Sequence, residues 1–356
     1  MSDDIPTYLP AEWHEQDAVQ LTWPHAATDW QPILTEVTSC YIDMAREISS
    51  RVYLIIVTPE PAYVRTLLAG HLPAANLRHV TFCQAPTDDT WARDHGFITL
   101  LASDGPHLLD FRFNGWGDKF AAEQDNRICR RMAEQGILDG HYEDHLDFVL
   151  EGGSIESDGQ GTILTTSQCL LAPHRNQPLT QAQIEERLLA TLHAKRILWL
   201  DHGYLAGDDT DSHVDTLARL CPDDTIAYVK CTDTDDEHYD ELLLMEAQLQ
   251  AFRTTAGKPY RLIPLPMAKA VYDEDGTRLP ATYANFLVTN GAVLTPTYGD
   301  TATDLLAQQQ LHEAFPGRDI VGIDCRPLII QHGSLHCCTM QFPTGTAGRL
   351  KETAKD

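Results

Sequence analysis

The sequence predicts an α/β or α+β protein, and three observations carry that reading. Short apolar runs rich in branched residues recur along the whole chain of 356 residues. Amphipathic helical stretches lie between several of them. No linker, composition shift or low-complexity segment divides the chain, so residues 1–356 read as a single catalytic domain, and no internal repeat is visible by eye.

In chain order the strand candidates are RVYLIIVT (51–58), HLLDFRF (107–113), GTILTT (161–166), KRILWLDHG (195–203), TIAYVKC (225–231), YRLIPLP (260–266), ANFLVTNGAVLTPTYG (284–299) and DIVGIDC (319–325). In TQAQIEERLLATLHA, Thr180 and Gln183 predict a capping box, with Ile184, Leu188, Leu189 and Leu192 on one apolar face. A second helix is predicted after Tyr298-Gly299-Asp300, capped by Asp300, with Leu305, Leu306 and Leu311 facing inward. Cys337 and Cys338 are expected on a strand, where neighbours point to opposite faces.

Charge narrows the function. Lysine plus arginine total 26 against 52 aspartates and glutamates, a formal charge of -26. Such a surface repels nucleic acid and anionic lipid and attracts cations. No apolar run approaches the roughly 18 residues of a membrane span. The start MSDDIPTYLP lacks the basic and apolar regions of a signal peptide, so the reading is cytoplasmic. The nine cysteines are scattered without a C-x-x-C pair, and most are expected to be reduced and buried. Neither G-x-G-x-x-G nor a P-loop occurs, so nucleotide cofactors have no support.

Four stretches concentrate polar residues near strand ends: TDDTWARDHG (87–96), LEGGSIESDGQG (150–161), GDDTDSHVDTLAR (207–219) and QHGSLHCCTM (331–340). The third fails as a calcium loop, because Val214 and Leu220 stand where Gly and Glu are needed. A zinc or iron site lacks a second His-rich stretch, and Gly333-Ser334-Leu335 argues against a helix joining His332 to His336. The His-x-Asp pair with distant carboxylates still leaves zinc or iron as the lesser reading of these residues. A late cysteine with a mid-chain His-x-Asp fits nucleophilic catalysis. Carboxylates around a thiol disfavour the thiolate, which makes sense if the substrate is a cation. A guanidinium suits best, since it forks onto carboxylates and its charge would help ionise the cysteine.

PAEWHEQDAVQLTWPH (10–25), TDDTWARDHG, FNGWGDKF (113–120), EGGSIESDGQGT (151–162), DTDSHVDTLAR, YANFLVTNGAVLTPTYGD (283–300) and GSLHCCT together resemble the agmatine deiminase and bacterial-type peptidyl-arginine deiminase family, in order and over nearly the whole chain. The resemblance implies a five-bladed, pseudo-fivefold α/β propeller of ββαβ units, the pentein fold. It implies Asp94 and Asp215 as grips for the guanidinium, His213 as general acid and base, and Cys337 as nucleophile, leaving Cys338 in the core. It implies a small cationic guanidine as the partner, and extends to a homodimer. Trp91, Trp116 and Glu151 are candidate substrate-lining residues, with Asp209 and Asp211 for the substrate's far end.

The chain departs from the family pattern in two places. Many agmatine deiminases read D-E-T-N-G-H-V-D where this chain has Asp208-Asp209-Thr210-Asp211-Ser212-His213-Val214-Asp215, and G-G-G-N-I-H-C where it has His332-Gly333-Ser334-Leu335-His336-Cys337. The aspartates near His213 favour an ammonium tail, which selects agmatine, with N-carbamoylputrescine as product and putrescine formation as the context. Arg93 and Arg112 could instead hold a peptide carbonyl, which keeps peptidyl-arginine as the alternative. Readings of other classes are a metal-dependent hydrolase, a non-catalytic cation-binding protein and an amidinotransferase relative.

Overall fold

The computed structural model describes residues 6–348 and residue 350. Residues 1–5, on which the reading of the acidic start rests, lie outside them.

Five sheets repeat one pattern. β1 (Gln16–Thr22), β2 (Tyr53–Thr58) and β3 (Val80–Gln84) form the first with the last strand of the chain. Then come β4 (Ile98–Ala102), β5 (Gly105–Arg112) and β6 (His141–Val149), followed by β7 (Ile155–Ser157), β8 (Thr162–Thr166) and β9 (Arg196–Leu200). β10 (Ala218–Cys221), β11 (Thr225–Lys230) and β12 (Arg261–Pro266) form the fourth. A two-stranded ribbon, β13 (Val271–Tyr272) with β14 (Arg278–Leu279), precedes β15 (Leu287–Thr289), β16 (Ala292–Thr297) and β17 (Asp319–Asp324). β18 (Thr339–Pro343) returns to pair antiparallel with β1.

In each sheet an antiparallel pair is followed by a parallel one: β4–β5 then β5–β6, β7–β8 then β8–β9, β10–β11 then β11–β12, β15–β16 then β16–β17, and β18–β1 then β1–β2. A parallel neighbour requires a crossover, and a helix lies in each one. These helices are Leu34–Ser49, Ile128–Glu134, Gln181–Thr191, Tyr239–Ala251 and Thr301–Ala314. Strands covered on both faces read as continuous apolar runs, as in β2, where five of six residues are buried.

Every predicted strand run contains a strand, and Thr180 with Gln183 forms the capping box. Ile184, Leu188 and Leu192 are buried, while Leu189 is half-buried. The helix Thr301–Ala314 is capped by Asp300, but its inner face differs from the expected one. Leu305 and Leu306 are 52% and 44% exposed. The buried stripe is Asp304, Ala307, Leu311 and Ala314, spaced three and four apart. Asp304 is inside because its carboxylate accepts the Tyr283 hydroxyl at 2.7 Å and the Tyr298 backbone N–H at 3.0 Å. That rotates the two leucines outward. Among the described residues no helix is long and apolar enough to cross a membrane, and all nine cysteines are free and buried.

The connections that carry the chain from one sheet to the next matter most here. There are five, and each brings a polar group to one place. Asp94 lies between β3 and β4, Glu151 and Gly153 between β6 and β7, and His213 and Asp215 between β9 and β10. Asn285 comes just before β15, and Cys337 between β17 and β18.

Candidate active site

Cys337 is not on a strand. Residues 335–338 form a turn directly before β18, with the Cys338 N–H donating to the Leu335 carbonyl and the Thr339 N–H to that of His336. The turn still separates the two thiols. Cys337 faces a cavity. Cys338 is fully buried in the core beside Tyr41 and Cys40. The Asn285 side chain holds the turn: its Oδ1 accepts the His336 N–H at 2.9 Å and the Cys337 N–H at 3.3 Å. Its Nδ2 lies 3.3 Å from Cys337 Sγ.

Asp94 ends up buried because the short helix Ala92–His95 is pinned by the Arg93 N–H donating to the Cys337 carbonyl at 3.0 Å. Its Oδ2 accepts Trp116 Nε1–H at 3.0 Å and its Oδ1 accepts the Gly153 N–H at 3.0 Å. His213 Nδ1 is 3.7 Å from Asp94 Oδ1. Gly153 is a glycine for lack of room: a Cβ there would come within 2.7 Å of His213 Nδ1, 2.9 Å of Asp94 and 3.1 Å of Asp215. Two residues after His213, Asp215 has Oδ2 paired with His336 Nδ1 at 2.7 Å. Behind it, His336 Nε2 meets Glu12 Oε2 at 2.7 Å, and Arg219 joins Glu12 and Glu156 in a buried network.

Several buried polar atoms here make no hydrogen bond of good geometry within the protein: Asp215 Oδ1, both ring nitrogens of His213, and Glu151 Oε2. Such groups normally cost on the order of 1–3 kcal/mol each, so their gathering in one place marks a site built for something else to bind.

Electrostatics support that reading. Burial, with help from Asp215 and Glu151, pushes the Asp94 carboxyl up to about 6. Burial would raise Asp215 too, but the hydrogen bond and charge of His336 hold it below its usual range. Burial acts to lower His213, yet Asp94, the neighbouring Cys169 thiol and Glu151 lift it well above the ordinary imidazole value. Burial, then Asp215 and Asp94, pushes the Cys337 thiol well up. The resting site holds a neutral thiol among carboxylates.

The cavity above it measures about 200 Å³. Asp94 and Cys337 lie at its base, and Trp91 and Trp116 line it. Trp91 is fixed by Nε1–H donating to Asp89 at 2.9 Å and by Gly333, whose Cβ would strike the ring at 2.2 Å. Asp29, Asp209 and His332 also line the cavity, and among the described residues no lysine or arginine does. Arg93 points elsewhere, into a separate cavity of about 60 Å³ shared with Glu12 and Gln16, and Arg112 is exposed away from Cys337.

His213 and Asp215 lie fully buried beneath the lining. Glu151 does not line the cavity. It sits behind His213, its Oε1 held by Arg175 Nε at 2.7 Å. Asp211 is likewise outside the lining, paired with Arg175 at 2.7 Å and Lys119 at 2.8 Å. Those pairs clamp a loop whose Asp211 and Ser212 both have φ of 63°. Sequence reasoning assigned no role to Asn285, Arg175 or the Glu12–His336–Arg219 network. Asn285 lies inside a quoted motif, but a neutral amide carries no charge pattern to single it out. Among the described residues three donor groupings could hold a metal: exposed Asp104 and His141 with half-buried His107; Glu12, Glu156 and His336; and Glu151, Cys169 and His213. In the second, the Arg219 guanidinium already meets all three residues.

Comparison with known proteins gives the family of the chain. The model of the Porphyromonas-type peptidyl-arginine deiminase family matches residues 8–343. A solved Porphyromonas gingivalis structure, provisionally titled an arginine deiminase, is 50% identical with a TM-score of 0.90, covering 96% of this chain and 100% of that one. Agmatine deiminase from C. jejuni, solved as a cysteine-to-serine variant with substrate bound, is 35% identical with a TM-score of 0.88, covering 97% and 98%. A protein of Marinomonas sp. (strain MWYL1), provisionally named an agmatine deiminase, is 31% identical over 94% of each chain. The chain belongs to the Porphyromonas-type peptidyl-arginine deiminase family.

Proposed function

We propose that this chain is a cytoplasmic agmatine deiminase, one catalytic domain whose five sheets are the blades of a propeller around the site. Agmatine and water become N-carbamoylputrescine and ammonium. The observation that carries the reading is the cavity: Asp94 and Cys337 at its base, indole walls, Asp29 and Asp209 in its lining, and no lysine or arginine among the lining residues. A guanidinium fits the base, and an ammonium fits the acidic lining. The α-carboxylate of free arginine would meet aspartates without a basic residue to pair it. Arg93 and Arg112 lie outside this cavity, which removes the groups considered for a peptide carbonyl.

The mechanism follows from the charges. The bound cation offsets Asp94 and Asp215 and lets Cys337 ionise, its proton passing to solvent. Sγ attacks the guanidinium carbon, forming a neutral tetrahedral adduct beside the free Oδ1 of Asp215. Protonated His213 gives its proton to the departing amino group, the C–N bond breaks, and ammonia leaves a covalent thiouronium. Neutral His213 then takes a proton from water, and the hydroxyl adds to the same carbon. The C–S bond breaks, Sγ leaves as thiolate, and the product sheds one proton, which ammonia takes up. No step calls on a metal or organic cofactor.

A colorimetric ureido assay with agmatine, free arginine and a blocked arginyl peptide tests this. Product from agmatine, lost in Cys337→Ala and kept in Cys338→Ala, is the expected result. Preference for the peptide or for arginine would overturn the substrate, and activity surviving in Cys337→Ala would overturn the mechanism.

A further inference from the structure

Behind the proposed acid–base, Glu151, Cys169 and His213 each present a donor atom, and the three lie within 4.8 Å of one another. All three residues are fully buried. They come from separate parts of the chain: the turn after β6, the short helix Ser167–Leu170, and the loop before β10. Arg175 holds only Glu151 Oε1, leaving Oε2 without a partner, and neither ring nitrogen of His213 makes a hydrogen bond of good geometry. Asp94 stands 3.7 Å from His213 Nδ1, which leaves Nε2 for the other side of the ring. One imidazole, one thiol and one carboxylate are the donor types that zinc accepts, and three protein ligands with an open fourth position suit a tetrahedral ion. Nothing in the proposed chemistry uses Cys169.

We propose that Glu151, Cys169 and His213 form an inhibitory site for zinc or a similar thiophilic divalent cation. The ion binds the Cys169 thiolate, the Glu151 carboxylate and neutral His213, so binding releases the protons that thiol and imidazole carry. Two ligand charges match the charge of the ion, and Asp94 beside His213 offsets Arg175 beside Glu151, so a buried ion is tolerable there. His213 with a nitrogen lone pair on zinc can neither protonate the leaving amine nor accept a proton from water. The ion therefore stops both halves of the reaction without touching Cys337.

The loss of turnover rests on the deiminase reading; the binding does not. Cobalt(II) is the probe for binding, using full-length Cys337→Ala protein so that the nucleophile cannot be the ligand. The expected result is one equivalent bound, with a thiolate-to-cobalt charge-transfer band and visible bands of tetrahedral intensity, displaced by zinc. The band should vanish when Cys169→Ser is added. In the activity arm, the zinc concentration giving half-inhibition of agmatine turnover should rise at least tenfold in Cys169→Ser and Cys169→Ala, each measured against its own metal-free rate. A Cys337→Ala protein without the thiolate band, or Cys169 variants inhibited by zinc as readily as wild type, would overturn the proposal. If agmatine is not turned over at all, the deiminase reading falls, and the cobalt spectrum alone decides the site.

Discussion

Asn285→Asp is the sharpest perturbation the site offers. The Asn285 amide orientation is fixed, because Oδ1 accepts two backbone N–H groups, those of His336 and Cys337. The neutral thiol also donates to Oδ1 at 3.4 Å, and Nδ2 lies 3.3 Å from Cys337 Sγ. Once the thiol ionises, that contact becomes a hydrogen bond to an anion, which is worth about 1.5–3 kcal/mol. Its loss corresponds to about 10- to 150-fold in rate. Aspartate keeps both acceptor contacts, so the turn at 335–338 should stay in place. It removes the donor and adds a third carboxylate beside a thiol that Asp215 and Asp94 already push up. The fall in kcat/KM with agmatine should reach or exceed the upper end of that range. Alkylation of Cys337 by iodoacetamide, followed by intact mass over an alkaline pH series, should shift to higher pH. An Asn285→Asp protein that matches wild type in both measurements would refute the assignment of Nδ2 as the donor that stabilises the thiolate.

Three further outcomes are expected. Gly153→Ala forces a methyl against His213, Asp94 and Asp215; displacing such groups by about 1 Å costs on the order of 100-fold, so kcat should fall that far while circular dichroism is unchanged. Asp211→Ala leaves the buried guanidinium of Arg175 with one carboxylate fewer and places alanine at a φ of 63°; together these should cost about 2–4 kcal/mol, read as a lower urea midpoint, with Asp211→Asn intermediate because asparagine tolerates that backbone. Burial pushes His95 down to about 3, so the folded state holds it neutral while the unfolded chain protonates it below its usual value near 6.5; stability from this group is present above that value and is lost as pH falls from there toward 3, and His95→Gln should flatten that limb of the urea midpoint against pH.

What the sequence made legible was local. Strand runs and the Thr180 capping box are decided by periodicity and neighbouring residues, and they appear where expected. The fivefold recurrence is invisible to the eye because it lies in strand pairing, antiparallel then parallel, while loop lengths and residues differ from sheet to sheet. The inner face of the helix Thr301–Ala314 was misjudged because a carboxylate, Asp304, wins the core position by taking up the Tyr283 hydroxyl and two backbone N–H groups of the preceding turn. Hydropathy cannot rank a leucine below an aspartate without knowing those partners. The placement of Asp211 and Glu151 was hidden for a similar reason: both are claimed by Arg175, which lies far from either motif in sequence.

The same limit explains why the acidic site could be read as a cation site before any geometry was known. Asp94, Asp215 and Glu151 are fully buried or nearly so, and the family motifs bring them to one place. Their partners account for only part of that charge. His336 supports Asp215, Arg175 supports Glu151, and Asp94 has only neutral donors besides His213. Left alone, such a cluster pushes the Asp94 carboxyl up to about 6 and keeps Cys337 neutral. In the proposed reaction, a planar monocation above Asp94 and the free Oδ1 of Asp215 supplies the missing counter-charge. It also sets its own electrophilic carbon beside the thiol that its charge activates. An anionic or neutral ligand would leave the carboxylates uncompensated and the cysteine unreactive, so in the proposed function selectivity for a cation and activation of the nucleophile are one electrostatic property.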